Sequence, residues 1–326
     1  MSEHPRVLIT GVTGFIGQHV ARLLATEKFH LTALVRPTTP VSRLGDLADK
    51  LQVVRLALDD INGLKEYLAA QQFDAIVHIG AVRGGRRANR AMYERVNVQA
   101  TEQLAISARE TGARFIFCSS VGVFGAIPLE LPANDQSPRQ HDSLYHSTKI
   151  RAEALVQRLA LEGLDAVIVR PAITYGSGDD GFPQTLIRMV DRRRLFLPAR
   201  PVLIHLTEVK LLARAFLRLL SDDIPSGRAY IVADPEPVSL PALTDAIHER
   251  LHDRPYPRSR VVSGHWFDMG ASIARKLKKE TWTARFQLIS RHWFFDVEDT
   301  YADLRLPRIK TLAEFMNLVD EYRRKD

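Results

Sequence analysis

Through the first half of the chain, short and densely apolar runs alternate with longer stretches whose apolar positions recur every three or four residues. Arg6–Thr10 (RVLIT), LTALVR (31–36), LQVVRL (51–56), AIVHI (75–79), RFIFCS (114–119) and AVIVR (166–170) are β-branched or aromatic runs of strand length. Behind the first, residues 15–26 carry Ile16, Val20, Leu23 and Leu24 at helical spacing. Further helices are expected over about 60–71, 87–111 and 143–162, the last two stopped by Gly112 and Gly163. Strands apolar on both faces, alternating with helices, predict an α/β fold with a doubly wound parallel sheet, the Rossmann arrangement. Such sheets bind ligands at the carboxyl ends of their strands, where strand order reverses.

After Pro171 the pattern changes. Residues 171–202 are rich in Gly, Pro and Arg and read as an excursion from the sheet. LIHL (203–206), a helix over 207–221 and AYIVAD (229–234) read as the return. From Pro235 onward prolines and aromatics dominate. The expected organisation is therefore a dinucleotide-binding unit of residues 1–175 and 203–235, with a smaller substrate-binding lobe of residues 176–202 and 236–326. In that lobe Trp266, Trp282 and Trp293 either form the core or line an apolar substrate site. The final stretch TLAEFMNLVDEYRRKD suits an amphipathic helix with Leu312, Phe315, Met316 and Val319 inward.

TGVTGFIG (10–17) places Gly11, Gly14 and Gly17 between the first strand and its helix. That context favours a dinucleotide site over a merely structural turn. Gly11 permits the tight turn, Gly14 lets a pyrophosphate approach the main chain, and Gly17 lets the helix pack closely on the sheet. Thr13, Phe15 and Ile16 belong to the same cradle.

Composition narrows the partners. The 326 residues are 45% hydrophobic and 25% charged, those of an ordinary globular chain, and no apolar run reaches bilayer length. The start lacks a signal-peptide layout and there is one cysteine, Cys118, in an apolar strand; both suit a cytoplasmic protein with no disulfide. The net charge is +7, yet no helix-turn-helix, zinc-ligand spacing or RNA-binding aromatic motif accompanies it, so neither nucleic acid nor a metal is expected. GHWFDMGASIARKLKKE (264–280) sets Trp266, Phe267, Ile273 and Leu277 on one stripe with basic residues elsewhere. It reads as a cover over the active site with a solvated basic face, an anionic membrane surface being the alternative.

YHSTK (145–149) puts Tyr145 and Lys149 four apart on one helical face. An ammonium beside the phenol would lower its pKa from near 10 toward a working value. Ser120, at the carboxyl end of the fifth strand, can hold a substrate oxygen while Tyr145 exchanges the proton.

TGVTGFIG, VHIGA (77–81), Asn97 in RVNVQAT, CSSVGVFG (118–125), YHSTK and VRPAITYGSG (169–178) occur in the order found in extended short-chain dehydrogenases/reductases. Over residues 6–235 the chain resembles this NAD(P)-dependent epimerase/dehydratase superfamily. The resemblance implies Ser120, Tyr145 and Lys149 as the catalytic triad. It also implies a cofactor lined by Asn97 and by Ile79, Gly80 and Ala81, with Pro171 and Ile173 near the nicotinamide. A homodimer built on helices 87–111 and 143–162 is usual in the family.

Arg36, at the end of the second strand, stands where an acidic residue would favour NAD; with Arg43 it points to NADP(H) over NAD(H). The family's Gly-Asp-Leu-x-Asp is here LALDD (56–60), so Ala57 removes one adenine contact and the main chain of Leu58 remains. Val121-Gly122 replace the Asp-Glu of nucleotide-sugar dehydratases, and Ile173 stands where epimerases carry Asn. The pattern is nearest to the hydroxysteroid dehydrogenase and dihydroflavonol reductase branch. The expectation is hydride transfer between the cofactor and a carbonyl or secondary alcohol of a small organic substrate. A nucleotide-sugar epimerase with retained cofactor and a non-catalytic NADP sensor are the alternatives.

Overall fold

In the computed structural model, which describes residues 4–83, 89–276 and 286–324, each apolar run of the first half becomes a strand of one sheet. The strands are β1 (Arg6–Thr10), β2 (His30–Val35), β3 (Gln52–Arg55), β4 (Ala75–His78), β5 (Arg114–Cys118) and β6 (Ala166–Pro171). A seventh, Ala229–Val232, completes the parallel order β3-β2-β1-β4-β5-β6 beside β6. Side chains alternate between two apolar layers. Val7, Ile9, Ile116, Cys118, Val167 and Val169 enter one, and Leu8, Phe115, Phe117, Ala166 and Ile168 the other. This two-sided burial is why the runs read as continuously apolar.

Helices α1 (Phe15–Leu24), α2 (Ile61–Ala69), α3 (Arg90–Glu94), α4 (Ala100–Thr111) and α5 (Leu144–Leu161) connect the strands. Gly112, at φ 72°, provides the left-handed turn that ends α4. Asp60, the last residue of LALDD, accepts the Gly63 N–H and caps α2. The single helix expected over 87–111 is interrupted. Residues 84–88 lie outside the described residues, and Arg95–Gln99 form a wide π-type turn between α3 and α4. The interruption coincides with Asn97, whose amide turns inward to bond the main chain of Val82.

The expected return of 203–206 to the sheet is corrected. Leu203–Ile204 pairs with Val238–Ser239, and Leu206–Glu208 pairs with Ile173–Tyr175, so neither joins the seven strands. The helix behind them, Val209–Ser221, does pack on α1 against the sheet. Leu197–Pro198 pairs with Val261–Val262, tying the 171–202 excursion to the C-terminal residues.

The C-terminal aromatics divide. Trp293 and Phe267 are buried, but Trp266 is 64% exposed, so it does not form the core, and Ile273 is exposed as well. Trp282 and Leu277 lie outside the described residues. In the helix Thr311–Arg323, Phe315, Leu318 and Val319 are buried and Leu312 faces outward, contrary to expectation. No helix among the described residues is long and apolar enough to cross a membrane.

Candidate active site

Strand order reverses between β1 and β4, and the glycine turn lies there. Gly11 adopts φ 80°, and a Cβ on it would stand 2.7 Å from the Gly80 nitrogen. A Cβ on Gly17 would meet the Gly11 carbonyl oxygen at 2.1 Å. Close backbone approach therefore demands glycine at both positions. The Gly14 N–H donates to the Gly11 carbonyl oxygen at 2.9 Å, and Gly14 starts α1 with no side chain capping it. The first-turn N–H groups of α1 are left to an anion. Thr13, Phe15 and Ile16 are half-buried around this turn, as are Ile79 and Ala81 beyond β4, and Leu58 reaches over Gly80.

Beneath the turn runs a buried chain of hydrogen bonds that sequence reasoning missed. The Gly80 N–H donates to Thr10 Oγ1 at 3.0 Å, and Thr10 Oγ1 lies 2.8 Å from His78 Nδ1. His78 Nε2 lies 2.9 Å from Thr101 Oγ1, which donates to the Asn97 carbonyl oxygen at 2.9 Å. Since the Thr101 proton is committed to Asn97, His78 carries its proton on Nε2 and accepts at Nδ1. Burial, with the Lys149 charge second, lowers the imidazole to about 3, so the ring is neutral. The sequence signal was a lone histidine inside an apolar strand.

Asn97, expected to line the cofactor, accepts the Val82 N–H at Oδ1 at 2.7 Å, and its Nδ2 donates to the Val82 carbonyl oxygen and to Thr148 Oγ1, both at 3.0 Å. Thr148 in turn donates to the Tyr145 carbonyl oxygen at 2.9 Å. Asn97 thus couples the loop after β4 to the helix that carries Tyr145.

Ser143 caps α5, accepting the His146 N–H at 3.1 Å, and sets Tyr145 in its first turn. The Ser120 hydroxyl accepts the Gly122 N–H at 3.0 Å and favours the ionised form of the Tyr145 phenol. Lys149, 2% exposed, lies over the Phe117 ring and donates from Nζ to the Cys118 carbonyl oxygen at 2.7 Å. Burial lowers this ammonium to about 8. Burial also pushes the Tyr145 phenol up to about 12, against the opposing influence of the Arg83 charge and the Ser120 hydroxyl. The expected lowering of the phenol by Lys149 is therefore absent: desolvation of the phenolate dominates and the ammonium is turned to a carbonyl. Cys118 is buried, and burial raises its thiol to about 11, which fits an inert core residue.

The helix is locked to the sheet by Arg170. This fully buried guanidinium donates to Glu153 on α5 at 2.8–3.1 Å and pairs with Asp135 at 2.5 Å. Pro171 is buried at the end of β6, Ile173 follows half-buried, and His19 of α1 reaches the Ser177 carbonyl oxygen at 2.8 Å. On the opposite flank, Arg36 is exposed just beyond β2. The loop there is held by Arg55, which donates to the Pro37 and Thr39 carbonyl oxygens at 3.0 and 2.9 Å. No group of His, Cys, Asp or Glu among the described residues could hold a metal ion.

Residues 7–233 match the family described as NAD dependent epimerase/dehydratase family. The chain is 26% identical over 282 residues, 83% of this chain and 81% of the relative, to 4-hydroxy-2-methyl-3-oxo-4-farnesyl-3,4-dihydroquinoline-1-oxide ketoreductase of Stigmatella aurantiaca. It is also 26% identical over 314 residues, 89% of this chain and 91% of the relative, to 2-alkyl-3-oxoalkanoate reductase of Stenotrophomonas maltophilia. Among solved structures, the Bordetella bronchiseptica enzyme WbmH in complex with NAD+ shares the fold, with a TM-score of 0.76 at 20% identity, covering 98% of this chain and 99% of that one. The cradle suits a dinucleotide: Gly11 and Gly17 leave no room for a Cβ, and the start of α1 is uncapped.

Proposed function

The chain belongs to the NAD-dependent epimerase/dehydratase family, and we propose that it is a reductase of a ketone carried on an apolar skeleton, preferring NADP(H). That it is an enzyme, an oxidoreductase of the extended short-chain dehydrogenase/reductase type, rests on the family and on relatives named as reductases and dehydrogenases. The observation that carries the proposal is the placement of Ser120 just beyond β5, with Tyr145 in the first turn of α5 and Lys149 buried one turn further along, its Nζ reaching back to the Cys118 carbonyl oxygen at the end of β5 at 2.7 Å.

The nicotinamide, when bound, supplies the hydride. Gly11, Gly14, Gly17 and the start of α1 would hold its pyrophosphate, Leu58 and the Ile79–Ala81 turn its adenosine side, and Arg36 a 2′-phosphate. Ser120 orients the substrate oxygen. A phenol near 12 keeps its proton until an alkoxide forms, then gives it up, which suits Tyr145 as the acid of a reduction. Lys149 places a positive charge beneath the site. No ionisable side chain occupies positions 121 or 122, which argues against water elimination. The apolar Ile173 and relatives named for alkyl- and farnesyl-bearing oxo compounds support a lipophilic ketone. A homodimer built on α4 and α5 is part of the same proposal.

The test is Tyr145→Phe, assayed with NADPH and a panel of 3-oxo compounds. Turnover is expected to vanish while the NADPH Kd stays within about threefold. Undiminished turnover removes Tyr145 from the chemistry. Cofactor that copurifies without net NADPH consumption would point to an epimerase.

A further inference from the structure

Apolar side chains exposed singly over a surface are ordinary, whereas a contiguous set marks a place of contact. Helix Gly264–Lys276 carries such a set. Phe267 is buried, and Gly270 lies against the Phe286 ring, which a Cβ there would meet at 3.2 Å, so these two positions mark the inward face. Trp266, Met269 and Ile273, at three- and four-residue spacing, fall beside one another on a different face. They are 64%, 48% and 51% exposed.

The charge around that stripe is one-sided. Asp268 is the only acid of the helix, and two exposed arginines share it, Arg200 Nη2 at 3.5 Å and Arg291 Nη2 at 3.7 Å. The short parallel pairing of Leu197–Pro198 with Val261–Val262 brings a further exposed ring, Phe196, up to the segment that leads into the helix. Arg260 lies over that ring, 4.9 Å from its centroid. In sequence, residues 194–200 and 258–276 hold six lysines and arginines against Asp268 alone. Exposed Trp, Met and Ile beside surplus arginine charge match a partner that is apolar within and anionic at its rim, the make-up of a lipid surface. A second copy of this chain, itself basic at +7, would bring like charge to the same place.

We propose that this face of helix Gly264–Lys276 seats on an anionic lipid surface, with Trp266, Met269 and Ile273 entering the acyl boundary and Arg200 and Arg291 meeting the headgroup phosphates. The helix lies in the plane of the interface and does not cross it. The indole suits that depth, its ring being apolar and its N–H able to reach the headgroups. The two components act separately. The stripe supplies hydrophobic transfer that salt does not screen, and the arginines supply attraction that salt does screen. Attachment does not depend on the reductase reading and is measured without turnover.

The experiment measures cosedimentation of the full chain with vesicles of phosphatidylcholine alone and with vesicles of equimolar phosphatidylglycerol and phosphatidylcholine. Wild type binds the anionic vesicles about tenfold more tightly than the neutral ones, and about 1 M sodium chloride releases most of it. Trp266→Ser combined with Ile273→Ser weakens binding to the anionic vesicles about tenfold. The urea midpoint of that variant stays at the wild-type value, because both side chains are already largely in water. Phosphatidylcholine brominated on its acyl chains, mixed with phosphatidylglycerol, quenches the tryptophan fluorescence of wild type, and Trp266→Phe loses most of that quenching. Wild type that stays in the supernatant with anionic vesicles overturns the proposal. So does a double-serine variant that binds as wild type does, or undiminished quenching in Trp266→Phe. A double-serine variant whose sedimentation coefficient drops, or whose NADPH-dependent turnover falls, with vesicle binding unchanged gives the face to a second copy or to the substrate instead.

Discussion

Gly17 sits in the first turn of α1, where helix propensity alone favours alanine by about 1 kcal/mol. The structure reverses that sign. A Cβ at position 17 would stand 2.1 Å from the Gly11 carbonyl oxygen, 2.6 Å from the Gly11 carbonyl carbon and 3.0 Å from the Val12 nitrogen. All three atoms are main chain, so no side chain can swing aside. Ordinary contact requires the start of the helix to retreat by roughly an ångström. Overpacking of this kind costs about 1–3 kcal/mol, which outweighs the propensity gain. Gly17→Ala is therefore expected to lower the urea midpoint with an unchanged slope, by an amount equivalent to up to about 2 kcal/mol. Because the retreat opens the turn that Gly11 and Gly14 form, NADPH affinity should fall about tenfold, measured by nucleotide fluorescence. A Gly17→Ala protein as stable as wild type with unaltered NADPH affinity would refute the close approach of helix and turn.

Arg36→Ala should weaken NADPH binding about tenfold while NADH binding changes less than about twofold, the charge-assisted bond to a 2′-phosphate being tempered by exposure; equal loss for both nucleotides would remove Arg36 from cofactor choice. His78 is held neutral, with its pKa depressed from 6.5 to about 3. Between those values the unfolded chain binds the extra proton, so this residue makes stability rise with pH and withdraws about 2 kcal/mol at pH 5 relative to neutrality. Asp234, raised by burial to about 6, contributes the opposite slope over part of that range. His78→Gln should therefore show a shallower loss of urea midpoint from pH 6.5 to 5 than wild type, and a parallel curve would contradict the buried neutral imidazole. Arg170→Met strands Glu153 without its partner and should cost about 3–5 kcal/mol in urea unfolding, while Arg170→Met with Glu153→Leu recovers most of it; equal losses would show that the ion pair itself carries the stability.

What the sequence disclosed was local. Gly11, Gly14 and Gly17, the Tyr145–Lys149 spacing and the strand-length apolar runs each act over a few residues, and the structure places them as the pattern implied. What escaped depends on distant partners. LIHL reads as one strand followed by a helix from 207, but Val238–Ser239 takes Leu203–Ile204 and Ile173–Tyr175 takes Leu206–Glu208. The wide turn at Arg95–Gln99 is hidden because Val96, Asn97 and Val98 are all buried and blur the helical period. The direction of the Tyr145 shift was misjudged because spacing reveals which groups share a face and not how dry that face is.

The order of the sheet also bears on how the chain emerges during synthesis. Six strands can align once residue 171 is out, but β6 then presents an open edge. Its covering partner, Ala229–Val232, arrives only after the excursion 172–228 has been made. Throughout that interval the nascent chain carries an unpaired parallel edge backed by apolar residues, a template for wrong pairing. Translation speed and chaperone access over this window therefore bear directly on the yield of native protein.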